Sequence, residues 1–483
     1  MTPASDDSFF FIPVEVVCHR PAVTCSPDLG LVEMARIMMD MNISGIVVIE
    51  DDRPVGIVSL RDLRNLVATV AHEIMTLTVR DVMKAPLITI RSSDYLFKAI
   101  FLMAKQTIHR LVVIDEFDRL TGVITDTDLL RIQTHNPLYL VQEIESAQSV
   151  EQMQSFGKKM IGMLQYALKT NADAQSLIQL IAHFNDALTQ RLIHILDHYH
   201  DVRLPTGAAY LSLGSEGRQE QTLRTDQDSA IVYQDDLSPR DIAEVHRFAE
   251  HLASALERVG VPLCPGNVMA SNPEWCHSIS EWKNLISMWV TRPDPDSTMC
   301  FGVFQDLRVQ YGDASFEVEL RNYICECTRS NAIFFPSMAR NIVRFKPPIG
   351  MFGRLLVEKK GECRGKLDLK KGGIFALVRG VSLIALEAGI TGGTTWSKLE
   401  RLHHLHMVSD HDLELIQGAF TFLIKLRLSK QLVALSSGRG VDNFVNPLVL
   451  TDLERDDLRT SFRGVGTLLN ILKNRYQLDQ MAR

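Results

Sequence analysis

A segment in the first third of the chain occurs twice, and this repetition limits the available folds more than any other feature. "NISGIVVIEDDRPVGIVSLRDLRNL" (42–66) parallels "TIHRLVVIDEFDRLTGVITDTDLLRI" (107–132). Each copy carries an apolar, β-branched run, an acidic turn and a second apolar run, then a short polar turn that opens a helix. Ahead of each stands a stretch with apolar residues at helical spacing, "LGLVEMARIMMDM" (29–41) and "DYLFKAIFLMAKQ" (94–106). Each unit therefore reads helix–strand–strand–helix, and two units make one small α/β module.

The two strand-to-helix turns share a hydroxyl residue three positions before an aspartate: Ser59 with Asp62, and Thr125 with Asp128. Capping alone accounts for this, because Ser and Thr are good N-caps and a carboxylate in the first turn complements the helix dipole. The same geometry also suits a ligand, since a helix N-terminus with a hydroxyl takes a phosphate and a carboxylate can hold a ribose diol. Repeat and turns together resemble a tandem CBS pair, or Bateman module, over residues 13–135. The resemblance implies a regulatory module that binds an adenine nucleotide through Ser59, Asp62, Thr125 and Asp128, and a homodimer formed through the CBS pairs.

Residues 137–200 have helical apolar spacing and read as a helical connector. His194 and His198 stand one turn apart beside Asp197, which reads as a solvated face, because no further ligand pattern follows.

A second motif follows. "AAYLSL" (208–213) reads as a strand, "GSEGR" (214–218) as a glycine turn, and "DQDSAIVY" (226–233) as a returning strand. Strand side chains alternate faces, so Asp226 and Asp228 point the same way. Two adjacent carboxylates call for a cation, and Mg2+ prefers such oxygen ligands. The turn at Gly214 and Ser215 lets backbone N–H groups approach a phosphate without a Cβ in the way. Arg218 and Arg224, in and after this turn, read either as surface arginines or as contacts for a nucleotide phosphate. The order strand, Gly-Ser turn, helix, Asp-x-Asp strand resembles the polymerase-beta-type nucleotidyltransferase superfamily. "GSEGRQEQTLRTDQDSA" is closer still to its signal-transduction branch, allied to the PII-protein uridylyltransferase and often fused to CBS pairs.

That resemblance implies a third carboxylate for a two-ion Mg2+ site. Asp306, in the strand-like run "CFGVFQDLRVQYGD", is the candidate, and Asp313 reads as a turn residue. The expected core spans 201–330, with an all-α C-terminal domain over 331–483. Lys366, Lys370 and Lys371 precede its first long helix and read either as solvated lysines or as contacts for a triphosphate. His411-Asp412 spells the HD-phosphohydrolase dipeptide but lacks companion ligands.

The fold class is thus α/β multidomain. The expected activity is nucleoside monophosphate transfer from an NTP to a hydroxyl of a protein or small-molecule acceptor. The competing expectation is a non-catalytic nucleotide sensor on a transferase scaffold. A net charge of -7 argues against a nucleic-acid partner. The longest apolar stretch, "GGIFALVRGVSLIALEAGI", is interrupted by Arg379 and Glu387 and so reads as no membrane span. With eight cysteines and no CxxC pair, a cytoplasmic setting is expected.

Overall fold

The computed structural model describes residues 12–18, 21–70, 75–131, 138–154, 156–169, 173–223, 226–350, 353–437 and 439–479. The chain divides into two units, Met1–Tyr139 and Leu140–Arg483.

In the first unit, strand β1 (Thr24–Cys25) lies parallel to β2 (Gly45–Glu50), which pairs antiparallel with β3 (Arg53–Ser59). Strands β4 (Thr89–Arg91), β5 (Arg110–Ile114) and β6 (Leu120–Thr125) repeat that arrangement. Even the irregularities recur. The register shifts between Val48 and Ile49 and again between Val113 and Ile114, just past the pairings with Gly56 and Gly122. Helices α1 (Leu31–Asp40) and α2 (Leu60–Val70) flank the first hairpin, and α3 (Leu96–Gln106) and α4 (Asp126–Arg131) flank the second.

The run Ile46-Val47-Val48 is apolar throughout because both faces of β2 are covered. Ile46 and Val48 pack with Leu31, Met34 and Met38 of α1. Val47 faces the other way and packs with Val112 and Ile114 of the second repeat. The repeated helix–strand–strand–helix unit is therefore a pair of sheets joined back to back.

The second unit holds a four-stranded sheet of order β10-β7-β8-β9, formed by β7 (Ala208–Ser212), β8 (Ser229–Tyr233), β9 (Cys276–Ser278) and β10 (Arg308–Gly312). Strand β7 is antiparallel to both neighbours, and β8 is parallel to β9. Every residue of β7 and β8 is buried, so helices cover both faces. Trp282, in the helix Ile279–Thr291, donates its indole N–H to the Ile231 carbonyl at 2.9 Å. The 27-residue helix Ala174–His200, capped by Asp173, also joins this unit. Its Asp186 accepts from Arg308 of β10 at 2.7 Å.

Past Asn331 the chain is mainly helical, with long helices at Phe375–Glu387, Thr395–His404, Asp410–Ser436 and Asp452–Arg475. Among the described residues, no helix is long and apolar enough to cross a membrane.

Candidate active site

Strand β7 ends in the turn Gly214–Gly217, and this turn allows the site to form. Gly214 adopts φ +52°, and a β-carbon there would lie 2.8 Å from Asp228 Oδ2. A β-carbon on Gly217 would lie 1.9 Å from the Asp306 carbonyl oxygen. Only bare backbone fits at either position. Ser215 stands partly exposed between them.

Asp226 and Asp228 lead into β8. The Leu213 N–H donates to the Asp228 carbonyl at 2.8 Å, which extends the β7–β8 pairing by one step. Gln227 turns the opposite way and is buried, its amide donating to the carbonyls of Ala253 and Val261. The expected alternation therefore holds, with both carboxylates on one face.

Carboxylate oxygens of Asp226 and Asp228 and the Cys264 sulfur all lie within 4.8 Å of one another. Among the described residues, this is the one His/Cys/Asp/Glu group close enough to hold a metal ion. Burial, and then the neighbouring Asp226, push Asp228 up to about 6. Two carboxylates crowded in this way fit a hard divalent cation. The Cys264 thiol donates to Asp228 Oδ1 at 3.3 Å. Burial and the adjacent carboxylate push that thiol up to about 11, so it remains protonated as a donor.

Lys370 and Arg427 of the helical region, and Arg218 beside the glycine turn, lie within electrostatic reach of the pair. Lys370 and Arg218 both oppose protonation of Asp228. Arg427 is buried, which pushes its guanidinium down to about 10 against the pull of Asp226 and Asp368. Lys370 belongs to a π-helical turn, Lys370–Ile374, of the kind that often marks functional sites. Of the other two lysines in the sequence motif, Lys366 lies 3.8 Å from Asp442, and Lys371 donates its backbone N–H to Asp368.

Asp306 and Arg218 are placed differently from the sequence expectation. Asp306 precedes β10 in a tight turn and is 1% exposed. Its two carboxylate oxygens accept from Lys398 Nζ and Arg218 Nη1, both at 2.6 Å. Burial works against the charge, but Lys398 and Arg218 hold Asp306 down at about 2. The Arg218 Nε donates to Glu220 at 2.8 Å, and Glu220 in turn accepts from the backbone and hydroxyl of Thr395. Asp306 and Arg218 are therefore committed to a buried four-charge cluster. That cluster ties the glycine turn to the helix Thr395–His404 and leaves neither residue in the carboxylate group at Asp226. Arg224 lies outside the described residues.

In the first unit, Ser59 and Asp62 line a cavity of about 870 Å³ with Lys84, His109, Arg110 and Asp126. Lys84 sits 2.8 Å from Asp62, and His109 sits 2.8 Å from Asp126. Burial opposes ionisation of Asp62, but its bonds to Lys84 and Ser59 keep the carboxylate below its usual range. Thr125 and Asp128 are not part of this lining; the Thr125 hydroxyl donates to Asp128 at 2.6 Å in a helix cap. The sequence reading missed Lys84, His109, Arg110 and Asp126, as well as Cys264, Glu220 and Lys398 of the second unit.

His194 and His198 are exposed and stack at 5.9 Å. Asp412 is bonded to the Ser409 cap, and Asp313 accepts from the Ser315 backbone, as turn residues do.

Three family profiles match the chain. One described as "Putative nucleotidyltransferase DUF294" matches residues 158–296. Another, "Putative nucleotidyltransferase substrate binding domain", matches 332–476, and the CBS-domain profile matches 14–69 and 79–135. The chain belongs to the CBS-fused nucleotidyltransferase family.

The chain is 31% identical over 150 residues to the uncharacterized protein MK0525 of Methanopyrus kandleri, covering 31% of this chain and 72% of the relative. It is 36% identical over 116 residues to inosine-5'-monophosphate dehydrogenase of Mycobacterium tuberculosis, covering 23% of this chain and only 21% of the dehydrogenase. It is similar to the CBS domain pair of protein MJ0100, solved with 5'-methylthioadenosine and S-adenosyl-L-methionine, at 22% identity and a TM-score of 0.24. That match covers 25% of this chain and 95% of the other.

Proposed function

We propose that the second unit transfers a nucleoside monophosphate from an NTP to an acceptor hydroxyl and releases pyrophosphate. The acceptor oxygen bonds to the α-phosphorus, the bond from that phosphorus to the β-phosphate oxygen breaks, and the hydroxyl proton passes to a base. The observation that carries this reading is the crowded pair Asp226 and Asp228, set beside a bare glycine turn and faced by Lys370 and Arg427. A divalent cation such as Mg2+, held by Asp226 and Asp228, would supply charge neutralisation at the α-phosphate. Cys264 orients the Asp228 carboxylate through its S–H, leaving the other oxygen directed at Gly214. Gly214 and Ser215 present backbone and hydroxyl donors to the phosphates. With Asp306 bonded to Lys398 and Arg218, Asp226 and Asp228 are the carboxylates that would hold the cation.

The cavity in the first unit serves as the regulatory site. Asp62 is ionised and suited to a ribose diol, while Ser59, His109 and Arg110 offer donors to a phosphate. An adenine nucleotide fits these groups. All eight cysteines are free thiols, which suits a reducing, cytoplasmic setting.

The test combines purified protein, Mg2+ and each α-labelled NTP in turn with an extract of the source cells. Label should pass to an acceptor with the wild type and not with Asp226→Asn/Asp228→Asn. No transfer with any NTP, together with unchanged nucleotide binding by the double variant, would leave the first unit as the working site and the transferase fold as a scaffold.

A further inference from the structure

The cluster around Asp306 closes on itself electrically. Arg218 and Lys398 supply two positive charges, Glu220 and Asp306 two negative ones, and the bonds among them are short. Beside it stands a fifth charge that takes no part in this pairing. Arg379, in the mainly apolar helix Phe375–Glu387, has a buried Nη1 with no hydrogen-bond partner. A charged donor left bare inside a protein is costly, and such a group calls for a physical explanation.

Its surroundings hold it in place. The guanidinium lies 5.4 Å from the ring centroid of Phe375, one turn back on the same helix. On its other side is Gly302, whose missing β-carbon would lie 2.0 Å from Nη1. Any side chain at 302 would occupy the space the guanidinium now fills. The next residue, Val303, comes within 3.6 Å of the β-carbon position of Gly214, which is itself 2.8 Å from Asp228 Oδ2. Arg379 thus packs against the residue next to Val303, and Val303 is the side chain that meets the glycine turn. Its guanidinium feels both Asp306 and Asp228, with burial acting against its charge.

We propose that Arg379 is a phosphate-binding residue of the nucleotidyl-transfer site, delivered from the helical domain to hold the β- and γ-phosphates of the NTP and then the leaving pyrophosphate. This inference rests on the transferase reading and extends it, because the nucleotide is then gripped by both matched domains at once. A planar guanidinium suits the task, offering two parallel N–H donors to a phosphate. Its position is fixed by Phe375 and Gly302 before the ligand arrives, so little ordering is lost on binding.

The experiment is isothermal titration of the full chain carrying Asp62→Ala, which silences the first-unit site and serves as the wild type of the comparison, with Mg2+ and ATP, GTP, CTP and UTP, then with inorganic pyrophosphate and with the nucleoside of the tightest triphosphate. Arg379→Met should weaken that triphosphate and pyrophosphate by about 50-fold, the loss of charge-assisted bonds. It should leave the nucleoside unchanged and the thermal midpoint equal to or above that of the wild type, since an unpaired buried charge has been removed. Arg379→Lys, which keeps the charge without the fork, should lose about 10-fold, and it decides the matter should the Met variant not fold. Wild-type triphosphate binding retained in full by both variants would overturn the role of Arg379 and leave the transferase reading intact. A midpoint several degrees lower in Arg379→Met, with nucleoside affinity lost as well, would make Arg379 structural. Failure of the wild type to bind any triphosphate would remove both readings.

Discussion

Replacing Asp306 by Asn separates two roles for this carboxylate, as a cation ligand or as the anionic centre of a buried cluster. Asp306 meets Lys398 Nζ and Arg218 Nη1 at 2.6 Å each, and all three side chains are nearly inaccessible. At that separation and an effective dielectric of about 20, each pair attracts by roughly 6 kcal/mol, most of which offsets the desolvation of both ions. Asn removes the charge and leaves Lys398 buried without a counter-ion, a change that costs about 3–5 kcal/mol. Lys398→Met alone should cost a similar amount, because Asp306 then keeps only Arg218. Asp306→Asn/Lys398→Met leaves Arg218 with Glu220, so the double variant should cost no more than either single change. The assay is urea unfolding at pH 7 followed by tryptophan fluorescence. Trp275, Trp282, Trp289 and Trp396 all lie in the second unit, so the signal reports that unit alone. Asp306→Asn within about 0.5 kcal/mol of the wild type, or single effects that simply add, would refute the cluster. Unchanged stability with loss of divalent-ion binding would return Asp306 to the metal site.

Other substitutions probe neighbouring parts of the structure. Burial, and then Asp186, push Glu216 up to about 8 from an ordinary 4.5. A carboxyl raised by folding contributes stability below the lower value that is lost as pH rises toward 8. Glu216→Gln should therefore match the wild type near pH 4 and exceed it by about 3 kcal/mol at pH 7 in denaturant titrations; parallel stability curves would contradict this. Gly217→Ala should destabilise the second unit by about 3 kcal/mol, because its methyl meets the Asp306 carbonyl, and a wild-type urea midpoint would argue otherwise. Mg2+ should raise the wild-type thermal midpoint and leave that of Asp228→Asn unmoved, as followed by calorimetry. In the first unit, AMP at a hundred times its Kd should stabilise by about 2.7 kcal/mol, and Asp62→Ala should abolish that gain; an equal gain in the variant would place the nucleotide elsewhere.

Much of the fold was legible because it rests on short-range pattern. The two repeats reveal themselves through recurrence, and the shared register shift at Val48 and Val113 shows that the likeness extends to the backbone. The facing of Asp226 and Asp228 follows from strand alternation, and the buried, bonded Gln227 between them is the observation that verifies it. The less legible part depends on partners far apart in sequence. Asp306 within an apolar run looks costly unless it faces a site, and the chain meets that cost with Lys398, 92 positions on, and Arg218, 88 positions back. No local spacing encodes those distances. Arg379 shows the same effect in reverse. In the sequence it is a blemish that rules out a membrane span, whereas in the fold a gap at Gly302 and a ring at Phe375 receive it. A charged residue within an apolar helix is thus read best by its pairing. Asp306 has both oxygens paired, while Arg379 has a donor to spare, and that spare donor is what its proposed phosphate role rests on.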